Sequence, residues 1–263
     1  MIAGIVSAKG KSIRLPGKNL LPFCGHPLVA WSIIQSKYAT LIDKTYVTTD
    51  SEEVAKVSEK YGAEIIWRDF KEQPDTPATV AICHAIRKIK GMYPDFTEML
   101  SLLPTAPTRL PDQLDNMIRL KHKIGWGEMT TMYPHQEANE YEIVDEHFCK
   151  IAFWDKTGKY VTAAGATSVY DANHYLETSK FADNTTEEVT DFWTWEQIKE
   201  LEQKGHIKAR AALRTLGFYP VKIWQQFDID YQEEFEFLEV IMEHYILKGK
   251  GIGIYQEYYE ANT

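Results

Sequence analysis

Residues 2–19 read IAGIVSAKGKSIRLPGKN, an apolar run followed directly by a cationic loop that contains glycine. The apolar run at 2–6 has the composition of a buried strand. Four cations follow it in the loop: Lys9, Lys11, Arg14 and Lys18. Clustered positive charge on a flexible backbone at the carboxyl edge of a sheet is what a polyphosphate needs. The stretch therefore predicts an α/β fold with an anion site after its first strand.

The loop differs from a P-loop in its spacing. Five residues separate Gly4 from Gly10, whereas the P-loop pattern has four, so its nest of backbone N–H groups would be misplaced. Further along, Pro16 fixes φ and Gly17 can adopt a positive φ, so that Lys18 is held in one direction. A solvated surface loop is the alternative interpretation.

Composition limits the kind of protein this is. The chain has 263 residues, of which 44% are apolar and 25% charged, as expected of a globular protein with its own core. A pI near 5.4 argues against nucleic acid or an anionic membrane as partner. Three dispersed cysteines indicate neither disulfides nor a zinc site. There is no apolar run of 18 residues and no leader-like start, so we expect a cytoplasmic protein without a membrane span.

Strand and helix patterns alternate through the first half of the chain. Strands are predicted at 2–6, 44–48, 64–67, 99–103 and 128–133, and helices at 28–36, 51–61, 79–90 and 114–121, with Pro27 as a first helical residue and Asp50 as an N-cap. This rhythm is typical of βαβ units and a mainly parallel, twisted sheet flanked by helices. Later elements are predicted as strands at 150–154, 160–163, 217–224 and 227–230, and helices at 187–204 and 233–247. We expect one domain, 1–263, with an inserted dimerisation segment at 134–186.

Asp228 and Asp230 flank an isoleucine near the end of the chain. In an extended segment, residues i and i+2 point to the same side, so both carboxylates can meet one cation while Ile229 turns into the core. Carboxylate oxygens suit Mg²⁺, which also takes oxygens from substrate phosphates. The alternative for Asp230 is an N-cap role, because Glu233 follows it by three residues.

Two weaker signals follow other predicted strands. The turn Pro-Thr-Ala-Pro-Thr-Arg at 104–109 is stiffened by its prolines, and Arg109 could reach an anion from it. After the third strand come four polar residues that could contact a nucleobase: Arg68, Asp75, Thr76 and Thr79.

Several of these motifs together resemble the acylneuraminate cytidylyltransferases, the family of the CMP-sialic acid synthetases. The resemblance is carried by residues 8–20, 48–51, 68–79, 104–109 and 228–230. It implies a Rossmann-like nucleotidyltransferase fold that transfers CMP from CTP to an acidic sugar and releases pyrophosphate. It also implies a magnesium or manganese cofactor, an anionic small-molecule acceptor and a homodimer.

The resemblance assigns roles residue by residue. The residues implied for the nucleotide are Ala8, Lys9, Gly10, Lys18, Asn19, Arg68 and Thr79, to which the charge pattern adds Arg14 and Arg109. Asp228 and Asp230 are implied as metal ligands. With Lys9 and Lys18 they form the implied catalytic set, in which the two lysines neutralise phosphate charge.

The chain departs from the family in places that concern the acceptor. Lys9 stands where an arginine is usual, and Leu103 where many members have glutamine. Residues 134–214 lack a clear copy of the family's sugar-binding arginines, for which Arg210 and Arg214 are the candidates. Two alternatives therefore stay open: the same chemistry on another acceptor such as a phosphonate, and a non-catalytic nucleotide-binding protein.

Overall fold

A computed structural model describes residues 1–69, 78–125, 127–135, 138–143, 149–155, 160–179, 217–247 and 255. Asp75, Thr76, Arg210, Arg214 and the helix predicted at 187–204 lie outside these ranges. Within them, no helix is long and apolar enough to cross a bilayer.

The described elements follow the predicted alternation. The strands are β1 (Ile2–Ser7), β2 (Pro22–Phe23), β3 (His26–Pro27), β4 (Lys44–Thr49), β5 (Glu64–Trp67), β6 (Glu98–Leu102), β7 (Glu128–His135), β8 (Ala138–Ile143), β9 (Cys149–Asp155), β10 (Tyr160–Asp171) and β11 (Gly217–Pro220). The α-helices are α1 (Leu28–Tyr38), α2 (Glu52–Lys60), α3 (Ala78–Met92), α4 (Gln113–Ile124), α5 (Ala172–Thr178) and α6 (Gln232–Ile241). Short 3₁₀ turns cover Lys18–Leu20 and Ile223–Gln226, and a π-helical turn, Met242–Leu247, extends α6.

Seven strands form the main sheet in the order β11-β7-β10-β6-β1-β4-β5. The pairs β1–β4, β1–β6, β4–β5 and β7–β11 are parallel, whereas β10 is antiparallel to both β6 and β7. The mainly parallel sheet is thus confirmed. Strand order reverses at β1, with β4 on one side and β6 on the other. Such a switch point is where open α/β sheets bind ligands, outside the carboxyl ends of the strands.

The sheet is buried on both faces, as a parallel sheet requires. Neighbouring residues of β1 point to opposite sides. Val6 packs in a cluster with Ile33 of α1 and Met117 of α4, whereas Ile5 packs in a cluster with Ile86 of α3. Helices therefore cover both sides of the strand from which the cationic loop emerges, and this fixes the loop's point of origin.

A third apolar cluster joins the end of the chain to α1. Trp31 and Ile34 belong to it, as do Leu238 of α6 and Ile229. Ile229 is fully buried, which confirms its predicted place in the core. The two aspartates beside it are consequently held against the domain by the side chain between them.

Three sequence predictions about local structure were wrong. Helix α1 begins at Leu28 rather than Pro27, which pairs with Pro22 as part of β3. The strand predicted over 217–224 ends at Pro220, and residues 227–230 form no strand. Phe227 is extended, but the backbone of Ile229 donates to a turn carbonyl instead of a neighbouring strand, so no ladder forms.

The segment 134–186 contributes to the main sheet. Strand β10 lies between β6 and β7, and β8 pairs with β9 in a separate hairpin. The single-domain boundary and the dimerisation role of 134–186 stay predictions.

Gly4 offers a test of how closely β1 and α1 approach. A Cβ on Gly4 would lie 2.1 Å from Ser36 Oγ and 3.4 Å from Leu102 Cδ1. We expect Gly4→Ala to lower the free energy of unfolding by about 1–3 kcal/mol through overpacking. The matched control is Gly91→Ala on α3, where a Cβ meets nothing within 4 Å. This variant should raise the free energy of unfolding by up to about 1 kcal/mol, because alanine has the higher helix propensity. Urea unfolding of both variants measures this, and equal stabilities would contradict the assigned packing.

Candidate active site

The cationic loop begins as an extension of the sheet. Ala8 N–H donates to the carbonyl of Thr48 at 3.1 Å, one step beyond the end of β1. The buried Asn19 returns to this point and donates from Nδ2 to the Lys9 carbonyl at 2.8 Å. The start and the end of the loop are thus tied to each other, so that Ala8, Lys9 and Asn19 lie together as the sequence predicts.

Asp50 anchors the cationic loop at Gly10. Its Oδ1 accepts the Gly10 N–H at 2.8 Å. A Cβ on Gly10 would lie 2.6 Å from Ser51 Cβ, so the approach of the loop to this turn requires glycine. The prediction that Asp50 caps α2 was wrong, because the cap is Ser51, whose Oγ accepts from Val54 N–H at 3.4 Å. Asp50 is occupied with the loop instead.

The far side of the loop reaches the acidic pair. Gly17 adopts the expected positive φ of 68°, just before the turn that carries Lys18. Lys18 Nζ lies 3.1 Å from Asp230 Oδ1 and donates to the Ile229 carbonyl at 2.6 Å. Arg14 Nη1 lies 2.7 Å from Asp230 Oδ2. Both carboxylate oxygens of Asp230 are therefore paired with cations of the loop. The N-cap alternative for Asp230 was wrong, because the N-cap of α6 is Tyr231.

Asp228 is in a different electrostatic situation. Its Oδ1 is buried and has no hydrogen-bond partner within the described part of the chain. Burial raises the pKa of Asp228 above its ordinary value, although a hydrogen bond from the Thr105 side chain opposes the rise. A buried carboxylate oxygen without a donor costs free energy unless something outside the chain completes it.

This arrangement fits a divalent cation of the magnesium type. Asp228 offers an unpartnered oxygen, and the Asp230 carboxylate is close enough to act on it electrostatically. No cluster of three or more His, Cys, Asp or Glu residues suited to a metal occurs among the described residues. A two-carboxylate site is what Mg²⁺ uses when water and substrate phosphates supply the remaining oxygens.

Arg68 lies across the carboxyl ends of β1 and β4. Its Nη2 donates to Ser7 Oγ at 3.1 Å and to the Thr48 carbonyl at 2.9 Å. Thr79 lies in the first turn of α3, where its side chain bonds Tyr175 of α5. Arg68 thus borders the carboxyl ends of β1 and β4, whereas Thr79 contacts α5. The nucleotide contacts predicted for the two residues stay predictions.

Arg109 lies elsewhere than its place after a strand suggested. It is 2% exposed, and burial lowers its pKa to about 10. Nη1 donates to Gln35 Oε1 at 2.9 Å and Nη2 to the Leu103 carbonyl at 2.8 Å. The guanidinium is part of the interior, so the structure argues against the direct anion contact predicted for it.

Sequence reasoning missed two residues that hold the acidic segment. Thr105 is a polar residue between two prolines, and its carbonyl accepts the Ile229 N–H at 2.9 Å. Gln225 is buried and donates from Nε2 to the Thr108 carbonyl at 2.9 Å. A threonine inside a proline-stiffened turn was a usable signal, whereas the sequence around Gln225 contained none.

The strand order of the main sheet and the helices on its two faces define an α/β nucleotidyltransferase fold, which solved structures share. CMP:2-keto-3-deoxy-manno-octonic acid synthetase, in a structure described as complexed with CTP, superposes with a TM-score of 0.62 at 14% identity. The match covers 92% of this chain and 98% of that one. A cytidylyltransferase from Leptospira borgpetersenii serovar Hardjo-bovis gives 0.58 at 15% identity, over 99% and 92% of the two chains.

Sequence comparison finds relatives among the cytidylyltransferases. Residues 3–92 match the family model described as cytidylyltransferase. The CMP-N,N'-diacetyllegionaminic acid synthase of Legionella pneumophila is 30% identical over 51% of this chain and 58% of its own length. The pseudaminic acid cytidylyltransferase of Campylobacter jejuni (strain 81-176) is 29% identical over 59% of this chain and 72% of its own length. The N-acylneuraminate cytidylyltransferase of Escherichia coli is 30% identical over 68% of this chain and 44% of its own length.

These matches confirm the predicted resemblance to the cytidylyltransferases, at modest identity. The shared region includes the strand and loop with which the chain opens. The match to the first of these relatives spans only 58% of that relative's length.

Capping by Ser51 and loop anchoring by Asp50 make separable predictions. Ser51→Ala is expected to lower the free energy of unfolding by about 1 kcal/mol, because α2 loses its cap. Asp50→Asn keeps an oxygen for the Gly10 N–H and is expected to change stability by less than about 0.5 kcal/mol. Thermal and urea unfolding of the two variants measure the difference. If Asp50→Asn lost more stability than Ser51→Ala, Asp50 and not Ser51 would be the cap of α2.

Proposed function

We propose that this chain is a cytidylyltransferase that transfers CMP from CTP to an acidic sugar and releases pyrophosphate. One observation carries the proposal: the cationic loop after β1 and the acidic pair near the end of the chain meet through Lys18 and Asp230. They do so beside the switch point of the sheet, where phosphate-binding and cation-binding groups serve one ligand.

The loop supplies the positive charge for the triphosphate. Lys9, Arg14 and Lys18 surround a backbone whose course is fixed by Asp50 and Asn19. Lysine binds phosphate as a point charge, and arginine can bind it through two parallel hydrogen bonds. Cations held before the nucleotide arrives stabilise charge without reorganisation during the reaction. Arg68 and Thr79 are proposed to border the nucleoside end.

Asp228 and Asp230 are the proposed ligands of magnesium or manganese. When bound, such an ion supplies charge neutralisation and Lewis acidity at the α-phosphate. The chain's own groups orient the reactants: an acceptor oxygen attacks the α-phosphorus in line, and pyrophosphate leaves toward Lys9 and Lys18. The two lysines offset the negative charge that grows on this leaving group.

The acceptor is proposed to be a sugar acid. The names of the relatives support this class, since each of the three reported above acts on a legionaminic, pseudaminic or acylneuraminic acid. Cytidylylation of another acceptor, such as a phosphonate, uses the same nucleotide half and is separated by assay. A binding-only protein is disfavoured, because it would bury the Asp228 carboxylate at a cost in stability without using it.

The activity test is pyrophosphate release from CTP with a panel of nonulosonic acids, other sugar acids and phosphonates. We expect turnover with a nonulosonic acid, and Asp228→Asn to reduce kcat by at least about 10²–10³ while the circular dichroism spectrum stays unchanged. The matched carboxyl-to-amide control is Glu233→Gln on the exposed face of α6, which should retain full activity.

Each result has one interpretation. No pyrophosphate with any acceptor rejects the catalytic proposal, and turnover with phosphonates alone rejects the sugar acid. Normal turnover by Asp228→Asn rejects the metal assignment.

The ion pairs of Asp230 give a second, independent prediction. In EDTA, Asp230 competes with the triphosphate for Lys18 and Arg14, so Asp230→Asn should bind CTP about two- to fivefold more tightly. With magnesium the same variant should lose turnover, because a metal ligand is gone. Lys18→Ala should weaken CTP binding in both conditions.

Isothermal titration with CTP, in EDTA and in magnesium, measures the effects on binding, and pyrophosphate release with the acceptor measures turnover. Glu233→Gln is again the control, since it removes an equal charge close by without breaking an ion pair. Weaker CTP binding by Asp230→Asn in EDTA would show that the carboxylate does not compete for the two cations.

A further inference from the structure

Arg109 is a charged residue in the interior, and every side-chain hydrogen bond it makes to the described part of the chain goes to a neutral group. Its donors go to neutral acceptors: Nε to Thr167 Oγ1 at 2.6 Å, Nη1 to Ser32 Oγ and Gln35 Oε1, and Nη2 to the Leu103 carbonyl. Among the described residues, no carboxylate lies within 4.0 Å of it to form a salt bridge. Burying a guanidinium in this way is expensive, so its retention calls for a reason beyond packing.

The hydrogen bonds of Arg109 fix the turn at 103–109 from both of its ends. Arg109 itself closes the turn, where its N–H donates to the Pro107 carbonyl at 2.9 Å. Its Nη2 holds the Leu103 carbonyl, where the turn begins. The side chain also joins this turn to α1 through Gln35 and to β10 through Thr167. The turn is thus held rigidly over the middle of the sheet.

The acidic segment is attached to this same turn at three points. The Ile229 N–H donates to the Thr105 carbonyl at 2.9 Å, and the Thr105 side chain bonds Asp228. Gln225 Nε2 donates to the Thr108 carbonyl at 2.9 Å. Since residues 227–230 belong to no sheet, these bonds and the burial of Ile229 determine where the Asp228 carboxylate lies.

We propose that Arg109 is a positioning residue for the cation site: it fixes the 103–109 turn, and the turn sets Asp228 through Thr105. The inference rests on the proposed function and deepens it, because it adds a residue that acts on the metal ligand without touching nucleotide or metal. It also replaces the direct anion contact that the sequence predicts for Arg109. Thr105 is the intermediate that passes the constraint on.

The experiment measures Mn²⁺ binding to the full chain by electron paramagnetic resonance, without any turnover. We expect Arg109→Lys, which keeps the charge but loses the fork of donors, to weaken Mn²⁺ binding about 10-fold or more. Its affinity for CTP in EDTA should stay within about twofold of wild type, and kcat should fall while the KM for CTP does not. Arg119→Lys, on the exposed face of α4, is the matched control and should change neither quantity.

A milder pair of variants keeps the test decisive if Arg109→Lys does not fold. Thr105→Val preserves the shape of the side chain but removes the hydroxyl, and should weaken Mn²⁺ binding in the same direction. Thr105→Ser retains the hydroxyl and should restore the wild-type affinity. A purely structural role would lower the melting temperature of the variants and leave the Mn²⁺ affinity of the folded protein unchanged.

The outcomes separate this inference from the function on which it rests. If wild type binds no Mn²⁺ near Asp228, the metal part of the proposed function fails, and the inference with it. If wild type binds Mn²⁺ and the variants at 109 and 105 bind it equally well, only the inference is overturned. A loss of CTP affinity with unchanged Mn²⁺ affinity overturns it too, and assigns Arg109 to the nucleotide.

Discussion

The ion pairs between the loop after β1 and Asp230 are the constraint on which the site depends. They join residues 212 positions apart in the sequence. The loop is irregular and residues 227–230 belong to no sheet, so no sheet pairing joins the two segments and these ion pairs connect them directly. Their partial exposure, 14% for the Lys18 side chain and 29% for that of Asp230, leaves them strong enough to order the loop and weak enough to exchange.

Much of the fold could be predicted because parallel βαβ units leave a clear sequence signal. The strands at 2–6, 44–48 and 64–67 are short runs of strand-forming residues separated by helical patterns, so their direction in the sheet follows from general rules. Strand β10 was predicted only at 160–163, although it extends to Asp171. Its antiparallel place between β6 and β7 is set by pairing partners distant in sequence, which local pattern does not show.

The site divides in the same way. Loop cations, the glycines and the aspartate pair could be predicted, because charge and backbone freedom are properties of the residues themselves. What Arg109, Thr105 and Gln225 do depends on tertiary neighbours. Arg109 was misassigned because an arginine after a strand resembles an anion contact, and nothing local reveals that α1 and β10 enclose it. Burial decides its role, and burial is a property of the assembled fold.

The buried oxygen of Asp228 has a consequence for where the energetic penalty of the site falls. The Asp228 carboxylate loses its water when the chain folds, before it meets another molecule. The desolvation free energy therefore lowers the stability of the fold and does not weaken each binding event. A partner that approaches it meets a group already stripped of solvent and aimed, and little of the attraction is spent on drying it. The folded protein is thereby less stable, but its Asp228 carboxylate can bind a partner without further desolvation.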